Sequence, residues 1–403
     1  MYSTQSDRSA ETESPIGLTD LGRVRVLRAL TESRQLSRSE LAGRTGLARA
    51  TVTSIAYELI GANLVRESAA DAAGNRTGRP PQVLSLVPDC AFALGLDIAH
   101  DHVRAILTDL VGTVRWDHTR PMAVDDDPER ALDAAARLID SAVGDLGVPR
   151  DRILGVGAGF ACPVAKDRRH LHAEGIMPGW VGVRPVDELA GRTGLPVRII
   201  NDANAGVLAE RRFGAARGCD NVVYLRLSSG IGAGAICDGR LLLGHGGVAG
   251  ELGHVVVEPH GLLCRCGNRG CLETVASPPA IADLLTRSRR RPVTTAELPE
   301  LMRAADRATA RAVEDAGDAV GRALAVAVTM LNPEMIVVGG ELAAACETLF
   351  EPMRRAIDRN TMACNAESVR IVLSELGDSA GVRGAAAVVL EGAPEALVLS
   401  SAG

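Results

Sequence analysis

Aromatic residues are scarce in this 403-residue chain: four Phe, three Tyr and two Trp make up 2% of it. So few rings cannot supply the stacking platforms on which single-stranded nucleic-acid binders depend. Lysine is scarcer still. Lys166 is the only one, so the other basic residues are all arginine, and P-loop chemistry, which needs a lysine after a glycine-rich loop, is excluded. No apolar run reaches ~18 residues without a charge; the closest approach, 319–338, is broken by Arg322 and Glu334. The start, from Met1 to Pro15, is polar and acid-containing and lacks the basic-then-apolar order of a secretory signal. A cytoplasmic chain with no membrane partner is expected, and the nine cysteines read as reduced thiols or metal ligands, since the cytosol does not keep structural disulfides.

The remaining composition, 46% hydrophobic with 43 glycines, is that of a globular protein. The length suggests two or three folding units at ~150 residues each. Net charge is −6, but it is unevenly spread. Residues 1–82 hold 11 arginines against nine acids, which leaves −8 for the rest. A basic end on an acidic body points to an anionic partner for that end alone.

Residues 20–60 read as three helices. Leu21, Val24, Leu27 and Leu30 recur at helical spacing. Ser37 and Glu40 form a capping box that opens a short second helix. Gly46 suits the bend of a helix-turn-helix, and in the third helix Val52, Ile55 and Leu59 share one face. The other face carries Arg49, Ala50, Thr51, Thr53 and Ser54, small hydrogen-bonding groups plus one guanidinium that suit a major groove. Ala48 stands where an N-cap Ser or Thr would be usual, a loss of about 1 kcal/mol. A hairpin, Leu64–Ser68 and Gln82–Val87, follows, with Arg76 and Arg79 at its tip placed to grip phosphates or a minor groove. The order is that of a winged helix, and residues 1–88 are assigned to it.

From residue 90 apolar strands alternate with helices: 92–97, 103–109, a helix over 128–145, 153–159 and 197–200. A second strand pair, 222–227 and 234–237, is similar to the first, although the likeness falls short of establishing a repeat. The densest chemical signal is Cys264-Arg265-Cys266-Gly267-Asn268-Arg269-Gly270-Cys271. Three thiols in eight residues ask for a fourth ligand if they are to hold tetrahedral zinc. His254 is the preferred candidate, with His245 and His260 as alternatives. With no open coordination position, the zinc would be structural.

Glu251 to His254, the cysteine segment and Glu273 together resemble the ROK family of sugar kinases and sugar-responsive repressors. Asn201-Asp202-Ala203-Asn204-Ala205, Met177-Pro178-Gly179-Trp180, Gly230-Ile231-Gly232-Ala233-Gly234 and Val337-Val338-Gly339-Gly340-Glu341 extend the likeness over about 90–390. The resemblance implies an α/β, two-lobed, actin-like sugar-kinase body over 89–403, with lobes of 89–203 plus the C-terminal end and of 204–385. An N-terminal winged helix is what the repressor branch adds. It further implies sugar contacts at Asn201, Asp202, Glu251, His254 and Glu273, and zinc ligands at His254, Cys264, Cys266 and Cys271.

In the family's kinases the residue at the position of Asp202 is the general base, and an Asp-x-Gly-Gly-Thr turn receives the ATP phosphates. Here that turn runs Asp97, Ile98, Ala99, His100, Asp101. Both glycines are gone, and a carboxylate replaces the threonine. At an effective dielectric of ~20, a like charge ~4 Å from a phosphate costs on the order of 4 kcal/mol. Where the family shows Pro-Gly before Pro-Val, this chain has Ala161-Cys162, and no ligand contact is assigned to either. The expected function is a regulator without kinase activity, a repressor that binds double-stranded operator DNA and answers to a small sugar or sugar derivative, as a homodimer or homotetramer. The rival is an ATP-dependent sugar kinase carrying a DNA-binding arm.

Overall fold

The computed structural model describes residues 18–69, 82–304, 306–340 and 347–400. They form two compact units, one from the chain start to Cys90 together with the segment from Gly392, the other from Ala91 to Glu391.

In the first unit α1 (Leu18–Glu32), α2 (Arg38–Thr45) and α3 (Arg49–Gly61) precede the hairpin of β1 (Val65–Ala69) and β2 (Gln82–Leu86). The capping box forms as the spacing predicts: the Ser37 amide donates to Glu40 Oε2 at 2.7 Å, and the Glu40 amide donates to Ser37 Oγ at 3.3 Å. Gly46 ends α2 at φ 69°, a left-handed conformation that glycine adopts without strain. Val24, Leu27, Leu30, Val52, Ile55 and Leu59 are buried. Leu21, placed with them by periodicity, is 41% exposed. Arg23 bridges Glu58 at 2.7 Å and so ties α1 to α3. Ala48 has no side-chain capping bond.

The second unit holds two five-stranded sheets. In the first, β3 (Phe92–Ile98), β4 (His102–Asp109), β5 (Val114–Pro121), β6 (Ile153–Phe160) and β7 (Val197–Asn201) lie in the order β5-β4-β3-β6-β7. Helices α4 (Pro128–Leu146) and α5 (Pro185–Thr193) belong to this half, and α6 (Asp202–Phe213) follows β7 directly. The second sheet has β8 (Val222–Leu227), β9 (Ile231–Cys237), β10 (Arg240–Leu241), β11 (Met335–Gly339) and β12 (Arg370–Leu373) in the order β10-β9-β8-β11-β12. Each sheet is an antiparallel meander extended by two parallel strands. The repeat that the sequence hinted at is thus present in topology. Four helices, α7 (Glu273–Ala276), α8 (Pro278–Arg289), α9 (Leu298–Ala304) and α10 (Arg307–Leu331), lie between β10 and β11. They are followed beyond β11 by α11 (Glu347–Asn360) and α12 (Ala363–Ser368).

After β12 comes α13 (Ala380–Glu391), which packs against β3, β6 and α6. A Cβ at Gly157 would lie 1.8 Å from the Ala385 carbonyl oxygen, and one at Gly384 1.8 Å from that of Ala205. Backbone here touches backbone, which explains the alanines and glycines of this helix. The chain then passes Gly392 into α14 (Ala393–Ser400), which packs on α1, with Leu397 and Val398 buried and Glu395 paired to Arg28. The sequence reading keeps everything from 89 to 403 in the body. The fold instead sets this last helix in the N-terminal unit, because its apolar side meets α1.

Replacing Gly157 by Val should force α13 off the first sheet, since neither backbone has slack. Overpacking of this kind costs typically 1–3 kcal/mol, about 2–4 °C per kcal/mol for units of this size. Thermal unfolding of the variant should show that fall, whereas Gly147→Ala, where a Cβ has open space, should show only the smaller cost of its positive φ.

Candidate functional site

Three chain junctions meet in the body. β7 ends at Asn201, which caps α6: its Oδ1 accepts from the Ala203 and Asn204 amides, each at 3.1 Å. Its Nδ2 donates to the Cys162 carbonyl at 3.3 Å and to Asp202 Oδ1 at 3.1 Å. Asp202 is buried at the first position of α6 and takes the Ala203 amide on Oδ1 at 2.7 Å. Arg226, on β8, reaches Asp202 Oδ2 at 3.0 Å. Burial pushes the Asp202 carboxyl above its usual range and Asp97 adds to this, while Arg226 and the Ala203 amide pull the other way.

Glu273 stands at the start of α7. Its Oε2 accepts from the Ile231 amide at 3.2 Å, and its two oxygens take Arg265 at 3.0 and 3.2 Å. Gly230 permits this approach, because a Cβ there would fall 2.6 Å from Glu273 Oε2. Glu251 is pushed up to about 7, first by burial and then by Asp202 and Glu273. Asn201, Asp202, Glu251, His254 and Glu273, the five residues expected to meet a ligand, line one cavity. Ala161 and Cys162, to which the sequence assigns no ligand contact, line it too. Burial, then Asp202 and Glu251, push the Cys162 thiol up, so it is an inert wall. His100, Arg226 and Arg265 also line this cavity and escaped the sequence reading. Arginines pass for solvated surface until topology brings them beside carboxylates.

His254 and the three cysteines of the knuckle form a second cluster, with one donor atom from each lying within 4.8 Å of the others. Cys264 Sγ lies 3.6 Å from His254 Nδ1, and Cys266 Sγ lies 3.6 Å from Cys271 Sγ. A tetrahedron with metal–sulfur bonds of about 2.3 Å and a metal–nitrogen bond of about 2.0 Å has edges of about 3.5–3.8 Å, so these spacings fit a metal. Burial holds the His254 imidazole below its usual range, opposed by Glu273, and ligation needs that neutral form. The two ring nitrogens divide the work: Nδ1 faces the thiols, while Nε2 lies 3.9 Å from Glu251 Oε2. Of the alternatives His245 and His260, neither joins the cluster.

The β3–β4 turn, Ala99 to Asp101, is built on charge. His102 Nδ1 pairs with Asp101 Oδ1 at 2.7 Å, and its Nε2 faces Asp97 Oδ2 at 3.8 Å. His102 is raised to about 9, by Asp101 first and then Asp97, against burial. Burial alone would raise Asp97, but His102, Arg226 and Arg104 reverse this and hold it below the usual carboxylate range. The Asp101 side chain is 74% exposed. Its charge is therefore screened and paired, and the repulsion of about 4 kcal/mol expected from it does not operate at full strength. The His102 side chain bridges Asp97 and Asp101 across this turn. Beside it lies a second cavity of about 230 Å³, lined by Asp97, His102, Arg104, Arg226, Ser228 and Gly340 among others.

On α3, Arg49, Ala50, Thr51 and Ser54 are exposed and Thr53 is half-buried, its Oγ1 donating to the Arg49 carbonyl at 2.9 Å. Arg76 and Arg79 lie outside the described residues.

Because His102 binds its proton more tightly when folded, its contribution to stability is complete below pH ~6.5 and is lost as the pH rises through about 9. With allowance for solvent on the Asp101 side, that contribution is on the order of 2 kcal/mol. The thermal midpoint of the wild type should fall between pH 7 and 10 more steeply than that of His102→Gln, as scanning calorimetry across that range would record.

The pattern of the ROK family matches residues 93–392. A glucokinase of Thermotoga maritima is 38% identical over 251 residues, 59% of this chain and 79% of its own. The xylose repressor of Caldicellulosiruptor bescii is 28% identical over 386 residues, 93% of this chain and 96% of its own. A solved ROK family transcriptional regulator, described as a homologue of the Escherichia coli Mlc protein, superposes with a TM-score of 0.79 at 28% identity, over 95% of this chain and 98% of that one. A match through the body, and through the N-terminal unit in the regulators, makes the conclusion plain: this chain belongs to the ROK family.

Proposed function

We propose that the chain is a sugar-responsive, DNA-binding transcriptional repressor without kinase activity. One combination carries the reading: a capped helix-turn-helix unit joined to a cleft that keeps acceptors for sugar hydroxyls but has a charged bridge in place of a glycine phosphate turn. Repressor relatives align along nearly their whole length, the first unit included, whereas the glucokinase aligns with 59% of the chain.

In the cleft, Asp202, Glu251 and Glu273 supply carboxylate acceptors, and His254 Nε2 supplies a further polar atom. Hydrogen bonds to charged groups are worth about 1.5–3 kcal/mol each. A site assembled this way rejects analogues that lack one hydroxyl, because a buried carboxylate is then left unpaired. The metal that suits three thiolates and one imidazole is zinc. Its ligands would be His254, Cys264, Cys266 and Cys271, and when bound it supplies no reaction step but fixes the loop between His254 and Glu273. On the DNA side, Arg49, Ala50, Thr51, Thr53 and Ser54 of α3 face the major groove, and Arg76 and Arg79 of the wing take phosphates or the minor groove. Two copies in a homodimer, or in a homotetramer, would read a palindromic operator with half-sites spaced by helical turns.

The sugar-kinase reading has the glucokinase relative in its favour, and the two readings part on turnover. Purified protein with Mg-ATP and a panel of hexoses and pentoses should release no ADP above background. Turnover abolished by Asp202→Asn would replace the regulator reading with that of an enzyme. The same panel, added to an operator mobility-shift assay, should contain a sugar that weakens binding at least tenfold, equivalent to ~1.4 kcal/mol of coupling. Glu251→Gln should blunt that response, and Arg49→Ala should weaken operator binding itself by about 1–3 kcal/mol.

Cys271→Ser should lose stoichiometric zinc, measured by mass spectrometry of the purified protein. It should lower the thermal midpoint as chelator does for the wild type, while Cys364→Ser, a thiol outside the cluster, should change neither.

A further inference from the structure

Arg226 belongs to none of the motifs that point to a ligand, yet it occupies the most consequential position in the cleft. It projects from β8 of the second sheet and lines both the cavity of Asn201, Asp202, Glu251 and Glu273 and the neighbouring cavity of Asp97, His102 and Arg104. Its guanidinium meets Asp202 Oδ2 at 3.0 Å, with the two side chains 15% and 9% exposed. The opposite oxygen of Asp202 is held by the Ala203 amide and Asn201 Nδ2. Across the boundary Asp97, on β3 of the first sheet, is buried, and its Oδ1 has no hydrogen-bond partner among the described residues.

We propose that Arg226 is the positioning residue that turns this kinase-like cleft into a site for binding alone. Its guanidinium is the fixed counter-ion of Asp202, holding the carboxylate charged as an acceptor for a ligand hydroxyl while occupying the oxygen that would have to take a proton. The inference rests on the reading of the cleft as a sugar site, and it explains how a buried acid in the position of a base is kept from acting as one.

The charged and titratable groups around Asp202 define the balance. Arg226 faces it from β8, Asp97 from β3, His100 from the β3–β4 turn, and Glu251 from the segment before His254. Among these, Arg226 is the cation in direct contact with the carboxylate. Burial and Asp97 favour the neutral acid, and Arg226 is the largest influence against it. Without the guanidinium, two buried carboxylates would share a low-dielectric pocket, and one of them would hold its proton. A protonated Asp202 donates where the ligand expects an acceptor. The same guanidinium adds attraction between the two sheets, since Asp97 stands on one and Arg226 on the other. A ligand hydroxyl on Asp202 must share the carboxylate with Arg226.

The test uses full-length protein carrying Arg226→Met, Arg226→Gln, Arg226→Lys, Asp202→Asn and the Arg226→Met/Asp202→Asn pair. Infrared difference spectra report a protonated carboxyl directly through its carbonyl stretch. At neutral pH the wild type and Arg226→Lys should show no such band that Asp202→Asn removes. Arg226→Met should show one that disappears in the double variant, and Arg226→Gln gives the same readout should the Met variant not fold. An Asp202 band in the wild type, or none in either neutral variant, would overturn the proposal. Calorimetric titration with D-glucose and D-xylose between about pH 5 and 8 supplies the second readout. Whichever sugar binds the wild type should bind Arg226→Met at least tenfold more weakly at the acidic end, recovering about tenfold per pH unit until Asp202 ionises. Lysine at 226 should rescue binding, and an equal loss at every pH would mean a packing role only and overturn the proposal. If neither sugar binds the wild type, the reading of the cleft as a glucose or xylose site is what falls, and the infrared result still decides the role of Arg226.

Discussion

Four carboxylates, Asp97, Asp202, Glu251 and Glu273, line two cavities that share Arg226, and compensating them is the constraint on which the rest of the structure depends. The penalty for taking an ion out of water is several kcal/mol even after relaxation, so each acid needs donors of its own. Asp202 has the Ala203 amide, Asn201 Nδ2 and Arg226, Asp97 has His102 and Arg226 nearby, and Glu273 has Arg265 and the Ile231 amide. Glu251 has no hydrogen-bond donor among the described residues and meets His254 Nε2 at 3.9 Å. The uneven provision separates the roles. Three acids are held by donors of the chain, and on the proposed function the fourth would take its donor from the ligand.

This arrangement is possible because the chain brings its junctions together without side chains in between. The end of β3 carries Asp97, the β7–α6 junction carries Asn201 and Asp202, and the end of β8 carries Arg226 and Ser228. They converge because α13 lies directly on the first sheet and on α6, at distances that only glycine and alanine permit. An ordinary leucine-rich helix would hold these layers about 8–10 Å apart on its side chains. The close approach also places Gly381 near both acids: a Cβ there would stand 3.7 Å from Asp97 Oδ2 and 3.8 Å from the Asp202 carbonyl oxygen.

The sequence reveals those parts of the site whose chemistry is local. The capping box at Ser37 and Glu40 is legible because both partners lie within one turn, and the zinc knuckle is legible because three of its ligands fall within eight residues. His254, ten residues earlier, had to be chosen among three histidines, and the ring geometry that gives Nδ1 to the thiols and Nε2 to Glu251 has no sequence signature. The charge on the β3–β4 turn was read with the wrong partner. Asp101 looked like an isolated repelling acid, because a one-residue step to His102 says nothing about whether the two side chains meet. Arg226 was invisible for a related reason. In a strand whose other residues are all buried it passes for a residue turned to solvent, and its partner Asp202 becomes a neighbour only when β8 lies beside α6. Strand β5 was also missed, since Arg115, Asp117, His118 and Arg120 make it the polar edge of its sheet, without an apolar alternation to mark it.

The chain returns to the N-terminal unit after α13. The body is joined to that unit at two points, before β3 and after α13, and these are the elements whose opposite ends meet at the cleft: Asp97 near the end of β3 and Gly381 at the start of α13 both line the cavity of about 230 Å³. A displacement of α13 relative to β3 would move the two points at which the chain passes between the units. A ligand moves this balance only by its preference for one arrangement, and a shift from 1:99 to 99:1 needs about 5.5 kcal/mol of differential binding. Two or three charged hydrogen bonds made in one lobe arrangement and not in the other reach that figure. On the proposed function, the buried carboxylates of the cleft are the groups that would supply them.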